Sequence, residues 1–339
     1  MLLFCKKIQI KWGECLIINR SLLLLLLALF GLSTFLIIKF SKETERSFIV
    51  LTNQEIENLD FSSQFEPWGI SYINSKSYFS KYINKKKVKV AIMDSGVDGT
   101  HRDLEGVNIS HYNAISPKNE AVDRLGHGTA MAGIITGNDN GKGIIGISPN
   151  VEIISIKVLD DEGKGDLDSF VKGIEWAIKQ DVDIINMSFG IKRDDPRLRY
   201  AIEEASKNGM IFVAAAGNKP GMSTEFPAAY ENVISVTAID HLENSYPYVS
   251  LGKIDFSAPG VNILTLQPNN EYRVFDGTSF AAAHVTGIVA NLLSSKEYVK
   301  NEKIVEHIKK ELIFISKDLG EPGYDPIYGN GSLIFNENK

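Results

Sequence analysis

The sequence predicts an α/β fold whose mostly parallel central sheet is doubly wound, with helices on both faces. Three observations predict it. Val88–Met93, Val151–Val158, Val182–Met187, Met210–Ala215 and Val233–Ala238 are short, predominantly apolar runs, as strands covered on both faces are. Helical patterns, including Leu167–Lys179 and Leu198–Asn208, lie between several of them, and strand–helix alternation marks a layered α/β architecture. The chain is 339 residues long, 44% hydrophobic and 23% charged, which suffices for one large core.

The segments before that core read differently. Residues 1–20 carry Lys6, Lys7, Lys11 and Arg20 against Glu14 alone, so the positive-inside rule assigns them to the cytoplasm. Residues 21–40 follow, and the 18 residues from Ser21 to Ile38 hold no charge. That is just enough to span a bilayer. The expectation is a transmembrane anchor with the remainder of the chain outside the cell. A cleaved signal sequence is the alternative, with Gly31 and Ser33 as the small residues before a cut. Residues 41–63 are mixed and charged and read as a linker or short pro-segment, too short for a folded pro-domain. Residues 64–339 then carry the whole fold.

Both cysteines, Cys5 and Cys15, precede the apolar run. The main domain therefore has no disulfide, and neither cysteine has the upstream apolar stretch of a lipoprotein signal. A net charge of −6 gives no argument for nucleic-acid binding, and the Lys85–Lys87 cluster reads as a solvated turn. A monomer is the default expectation.

Three motifs carry chemistry. The first predicted strand runs into Asp94, and Gly126-His127-Gly128-Thr129 opens a helix of small residues. Asp276-Gly277-Thr278-Ser279 precedes an alanine run suited to a helix start. A serine there meets free backbone N–H groups and the positive end of the helix dipole, which favour developing negative charge. Singly, each residue has an ordinary explanation: Ser279 as a helix cap, Asp94 as a turn former, His127 as a loop residue. Together they supply a nucleophile, a base and a group that orients the base.

In this order the motifs resemble the subtilisin-like serine proteases, over roughly Pro67 to Ile334; Asp, His, Ser is the chain order of subtilisin itself. The resemblance implies that Asp94 orients His127, that His127 takes the Ser279 proton, and that Ser279 attacks a peptide carbonyl. It also implies that Asn218, after the strand Met210–Ala215, donates its amide to the oxyanion; a left-handed turn residue is the alternative. Substrate is expected as an extended strand clasped between Gly163-Lys164-Gly165 and Ser188-Phe189-Gly190. Leu159, Leu167, Phe170 and Phe189 would line an apolar subsite. Structural Ca²⁺ is implied, held by Gln64, Asp103, the Asn140 side chain and carbonyls of Asn138, Lys142 and Ile144, an all-oxygen set. No organic cofactor is implied.

The pocket for the residue before the cut (P1) is individual to this chain. The alignment of Phe226-Pro227-Ala228 places Glu225 at its floor, where many relatives have glycine. A carboxylate there favours Arg or Lys, with Asp160, Asp161 and Glu162 adding negative charge at the rim. The alternative has Glu225 facing solvent or paired with Lys219. Two further departures lie beside the nucleophile, Ala283 for proline and Phe280 for methionine, and Ala130 replaces a histidine of many relatives. The expected function is a membrane-tethered processing endopeptidase on the outer cell surface. It is similar to the leader peptidases that mature bacteriocin or lantibiotic precursors. The alternatives are a secreted degradative enzyme and a peptide-binding pseudoprotease.

Overall fold

The computed structural model describes residues 48–74 and 86–335. The expected anchor at residues 21–40 lies outside the described residues, among which no helix is long and apolar enough to cross a membrane. In chain order the strands are β1 (Gln64–Phe65), β2 (Lys89–Asp94), β3 (Ile109–Asn113), β4 (Gly143–Ile144), β5 (Glu152–Lys157), β6 (Ile184–Met187) and β7 (Ile211–Ala215). β8 (Val233–Ile239), β9 (Phe256–Pro259), β10 (Ile263–Gln267), β11 (Glu271–Phe275), β12 (Ser316–Lys317) and β13 (Ser332–Leu333) complete them. The helices are α1 (Asn53–Ile56), α2 (Trp68–Ile73), α3 (His127–Thr136), α4 (Leu167–Lys179), α5 (Pro196–Lys207), α6 (Thr278–Ser295) and α7 (Ile304–Ile315).

Nine strands form one sheet in the order β12-β13-β9-β8-β7-β6-β2-β5-β3, parallel except where β12 meets β13. Side chains alternate across it. Val90, Ile92, Val213 and Ala215 enter the core shared with α3, α6 and α7, while Ala91, Met93, Phe212 and Ala214 enter the one shared with α4 and α5. Helices thus cover both faces, as expected. β2 lies where the strand order reverses, with β5 and β6 on its two sides, and sites in such sheets gather at the strand carboxyl ends at that point. Asp94 is the last residue of β2.

Helix boundaries follow their caps. Asp166 starts α4 by accepting from Ser169 N–H. Asp195 caps α5, with Pro196 at its first position, so α5 begins two residues before the apolar pattern does.

Part of the stretch expected as linker packs on the domain. Leu51 and Ile56 are buried in the core, and Phe48 touches Trp68 and Tyr72. Asn53 accepts from Val274 N–H (2.9 Å) and donates to Val274 O (3.2 Å), so one side-chain amide acts as a strand partner on the free edge of β11.

A second polar knot ties down the far edge. Lys253 Nζ donates to Ala228 O (3.1 Å), to Val233 O and to Asp255 Oδ2 (2.7 Å). Asp255 also takes Ser235 N–H (2.8 Å) and Lys309 of α7 (2.9 Å). Burial pulls the Lys253 ammonium down to about 8 against the opposing pull of Asp255.

Candidate active site

Asp94 is fully buried, and both its carboxylate oxygens lie 2.9 Å from His127 Nδ1. One oxygen also accepts Ser95 N–H at 2.7 Å. His127 therefore carries its proton on Nδ1 and leaves Nε2 as an acceptor. α3 brings the ring this close because its first turn is built of small residues: a Cβ on Gly128 would stand 1.9 Å from Gly96 O. Burial lowers the affinity of His127 for a second proton, but the charge and hydrogen bond of Asp94, with the charge of Asp123, outweigh it. The net effect lies above the usual imidazole range.

Asp123 is a functional residue that the motifs did not single out. Its Oδ1 accepts Ser95 Oγ–H and Gly126 N–H at 2.8 Å each, and its Oδ2 accepts Thr129 N–H (2.9 Å) and Oγ–H (2.6 Å). The loop entering α3 is thus fixed to the end of β2. Its only sequence signal is its place four residues before His127.

Ser279 sits in the first turn of α6, 7% exposed. Gly277 caps that helix with φ 142°, which disfavours any side chain, and an added Cβ would lie 3.1 Å from Asn218 Nδ2. The Ser279 hydroxyl donates to Ser188 O at 3.1 Å. It must rotate away from that carbonyl to meet His127, and catalytic hydrogen bonds commonly tighten only with substrate in place. Phe280 stacks on Phe275 (5.1 Å) and meets the His127 ring edge-on (5.6 Å). Ala130 and Ala283 are buried packing positions.

Asn218 does not take the left-handed turn conformation; Gly217 before it does, with φ 113°. Thr278 donates its backbone N–H (2.9 Å) and hydroxyl (3.0 Å) to Asn218 Oδ1. With its oxygen so engaged, the side chain has its Nδ2 donor left for the cleft.

His127, Asn218 and Ser279 line one cleft of about 400 Å³ with Leu159, Gly163, Gly165, Phe170, Ser188, Phe189, Gly190 and Glu225. Gly165 bridges back to Leu159 as an antiparallel edge, and Phe170 stacks on Phe189 at 4.2 Å. Lys164 and Leu167 do not line the cleft. Leu167 is half-buried and packs against the core cluster that contains Phe170, while Phe170, three residues further along α4, reaches the cleft. Leu125 and Ile191 are lining residues that the motifs missed, and Lys219, expected only as an alternative partner of Glu225, lines the cleft too.

The acidic rim also differs from expectation. Asp160, Asp161 and Glu162 line a neighbouring hollow, Asp160 accepts N–H groups of its own turn, and Asp161 pairs with Lys157 and Arg124. A hollow of about 1030 Å³ beside the His127 loop is larger than the cleft but contains neither His127, Ser279 nor Asn218.

Glu225 lines the cleft and is 7% exposed, with its carboxylate 2.5 Å from Lys219 Nζ. It thus borders the cleft and also makes the Lys219 pairing that was its alternative.

The expected calcium loop is organised around Gln64. Its Oε1 accepts Asn140 N–H (3.1 Å) and Gly141 N–H (2.9 Å), and its Nε2 donates to Asn138 O (3.1 Å) and Lys142 O (2.9 Å). Two carbonyls thus converge on one point. Asp103 is buried with Oδ2 bonded to Ile144 N–H and the Tyr272 hydroxyl, while its Oδ1 has no hydrogen-bond partner. Two carbonyls gathered on one amide donor and a buried carboxylate oxygen without a hydrogen bond, 4.0 Å from Arg102 Nε, are the oxygen types that a hard cation takes. Asn140 Oδ1 accepts from Lys142 N–H at 3.3 Å. Among the described residues no cluster of three His, Cys, Asp or Glu forms a metal site.

The sequence model of the subtilase family matches residues 85–331. The chain is a subtilase. This subtilase is 35% identical over 300 residues to the minor extracellular protease Epr of Bacillus subtilis, covering 88% of this chain and 45% of that protein. It is 34% identical over 276 residues to subtilisin DY of Bacillus licheniformis, covering 80% of this chain and 97% of the relative. Against the major intracellular serine protease of Bacillus subtilis the identity is 37% over 268 residues, covering 76% and 82%. Like its family, the subtilase is a serine endopeptidase.

Proposed function

We propose that this endopeptidase cleaves through Asp94, His127 and Ser279, with Asn218 as oxyanion donor. The observation that carries this is the buried Asp94–His127 pair, at 2.9 Å, opening on a cleft shared with Ser279 and Asn218. Ser279 Oγ bonds to the scissile carbonyl carbon as its proton passes to His127 Nε2. The carbonyl oxygen becomes an oxyanion held by Ser279 N–H and Asn218 Nδ2. Collapse breaks the C–N bond, His127 returns the proton to the leaving amine, and water repeats the sequence on the acyl-enzyme. Asp94 holds the imidazole in its tautomer and stabilises its cation.

The substrate backbone adds as a strand between Gly163–Gly165 and Ser188–Gly190. Glu225 at the floor of the P1 pocket supports cleavage after basic residues. Ca²⁺ would be held by Asp103, the Asn138, Lys142 and Ile144 carbonyls, Asn140 and a reoriented Gln64 amide, and would supply the positive charge that joins this loop to the domain. The test is labelling with a fluorophosphonate. Wild type should take the probe and Ser279→Ala should not; an unlabelled, folded wild type would make the chain a peptide-binding pseudoprotease.

Residues 21–40 support tethering at the outer surface and, with a charged P1 pocket, a processing role on few substrates. Release after signal cleavage is the second reading, favoured by the extracellular relative named above. Fractionation decides: a tether leaves the activity with washed membranes, and release puts it in the medium.

A further inference from the structure

Glu225 is buried under a thin wall. A Cβ added to Gly190 or Gly217 would meet its Oε2 at 2.6 and 3.0 Å, so only glycine at both positions leaves the carboxylate room beside the cleft. The other oxygen is held by Lys219 Nζ at 2.5 Å. The two residues differ in exposure: the Lys219 side chain is 45% exposed and that of Glu225 is 9%. Their backbone positions are preset, since Glu225 N–H donates to Ala216 O and Lys219 O accepts from Met222 N–H and Ser250 Oγ–H. The pocket thus contains a fixed floor charge and a counter-ion whose head reaches both the floor and water.

A cationic side chain entering this pocket does not meet a free carboxylate. It meets an ion pair and exchanges one cation for another, with Lys219 moving to solvent. Such an exchange yields little net attraction, because the buried charge is compensated before and after. A neutral side chain needs no exchange and leaves the pair intact. We propose that Lys219 is a specificity-determining residue, an internal counter-ion that occupies the P1 carboxylate and sets how strongly basic residues are preferred. This rests on the proposed function. It adds that the two charges mask one another, so the wild-type preference for a basic P1 residue is weaker than Glu225 alone would give.

The test is kcat/KM of the full chain on one peptide series with Arg, Leu or Glu at P1, for wild type, Lys219→Met, Lys219→Arg, Glu225→Gln and the double variant. Lys219→Met is expected to raise the Arg-to-Leu ratio roughly ten- to a hundredfold, the size of one charge-assisted hydrogen bond. Lys219→Arg should keep the wild-type ratio, which separates lost charge from lost packing. Glu225→Gln should raise the Glu-to-Leu ratio through the unmasked Lys219, and the double variant should favour Leu. An Arg-to-Leu ratio within twofold of wild type in Lys219→Met overturns the proposal. If that variant fails to fold, an unchanged Glu-to-Leu ratio in Glu225→Gln overturns it instead. Failure of the proposed function looks different: wild type that neither takes the fluorophosphonate nor cuts any member of the series.

Discussion

At Asp94 and His127 the chemistry is set by two oxygens within hydrogen-bond reach of one ring nitrogen. Because Asp94 and Asp123 hold the His127 imidazolium above its usual range, kcat/KM should rise with pH through a pKa above the ordinary imidazole value. Only the neutral ring accepts the Ser279 proton. Asp94→Asn should move that limb to lower pH and reduce kcat by about 10⁴, the loss seen when a serine-protease triad loses this carboxylate. The stability sign runs oppositely: the raised affinity stabilises the fold below the unfolded imidazole pKa, and the effect fades as pH climbs through the folded one. Asn218→Ala should lower kcat about 10²–10³-fold with little change in KM, a magnitude that comes from subtilisin itself. Asp94, His127, Ser279 and Asn218 were legible because each stands at the end of a strand or the start of a helix in a distinctive motif. Asp123 was not, because an aspartate bonded to its own loop is the commonest kind of aspartate. Lys219 was legible only as a possible partner, since a salt bridge depends on side-chain directions that spacing does not fix.

Among elements, the segment 48–63 departs most from its sequence appearance. Its charges suggested a solvated linker, but its two buried aliphatics and Asn53 face the domain. Nothing in the sequence announces this, because the partner of Asn53 is the backbone of β11 and backbone bears no residue signature. β11 runs directly into Asp276 and Ser279, so the segment steadies the approach to the nucleophile. Asn53→Ala removes two hydrogen bonds from a half-buried strand edge and should cost about 1–3 kcal/mol of stability. A chain beginning at residue 64 should melt well below one beginning at residue 48, and a thermal scan of the two decides whether the segment belongs to the working enzyme. The five strands and two helices bounded from the sequence fall within a residue or two of β2, β5, β6, β7, β8, α4 and α5, since burial on both sheet faces leaves continuous apolar runs. β3, whose exposed Ser110 and His111 break such a run, was not legible.

At the scale of the molecule, two regions gather oxygens around a point that suits a cation. The Asp103–Gln64 loop holds a buried carboxylate oxygen without a hydrogen bond. With the proposed Ca²⁺ bound there, EGTA should lower the melting temperature, and Asp103→Asn should abolish the difference between calcium-loaded and stripped enzyme. The Lys253 knot should respond to pH instead. Its ammonium titrates at about 8 in the fold, against about 10.5 in the open chain, so the unfolded state binds more protons between those values. Stability should therefore gain from pH 8 to about 10.5 in wild type relative to Lys253→Met, measured by denaturant unfolding at both ends of the window. The mostly parallel sheet and the two-faced core were anticipated from strand–helix alternation, but the strand order was not, because spacing along the chain does not say which strands pair. The Lys253 knot was not, because its acceptors Ala228 and Val233 contribute carbonyls rather than side chains.

Covalent attachment gives the Lys253 ammonium a property no dissolved ion has. Its occupancy does not depend on concentration, and no chelator can extract it. The carbonyl it binds at Ala228 lies three residues after Glu225, so the ground beneath the proposed P1 pocket is held by a cation that the ribosome installs. In a metal-poor medium the two ends of the enzyme should part company. The Asp103–Gln64 loop, with its proposed Ca²⁺ withdrawn, would loosen first, while the turn at Ala228 kept its shape until the whole sheet gave way.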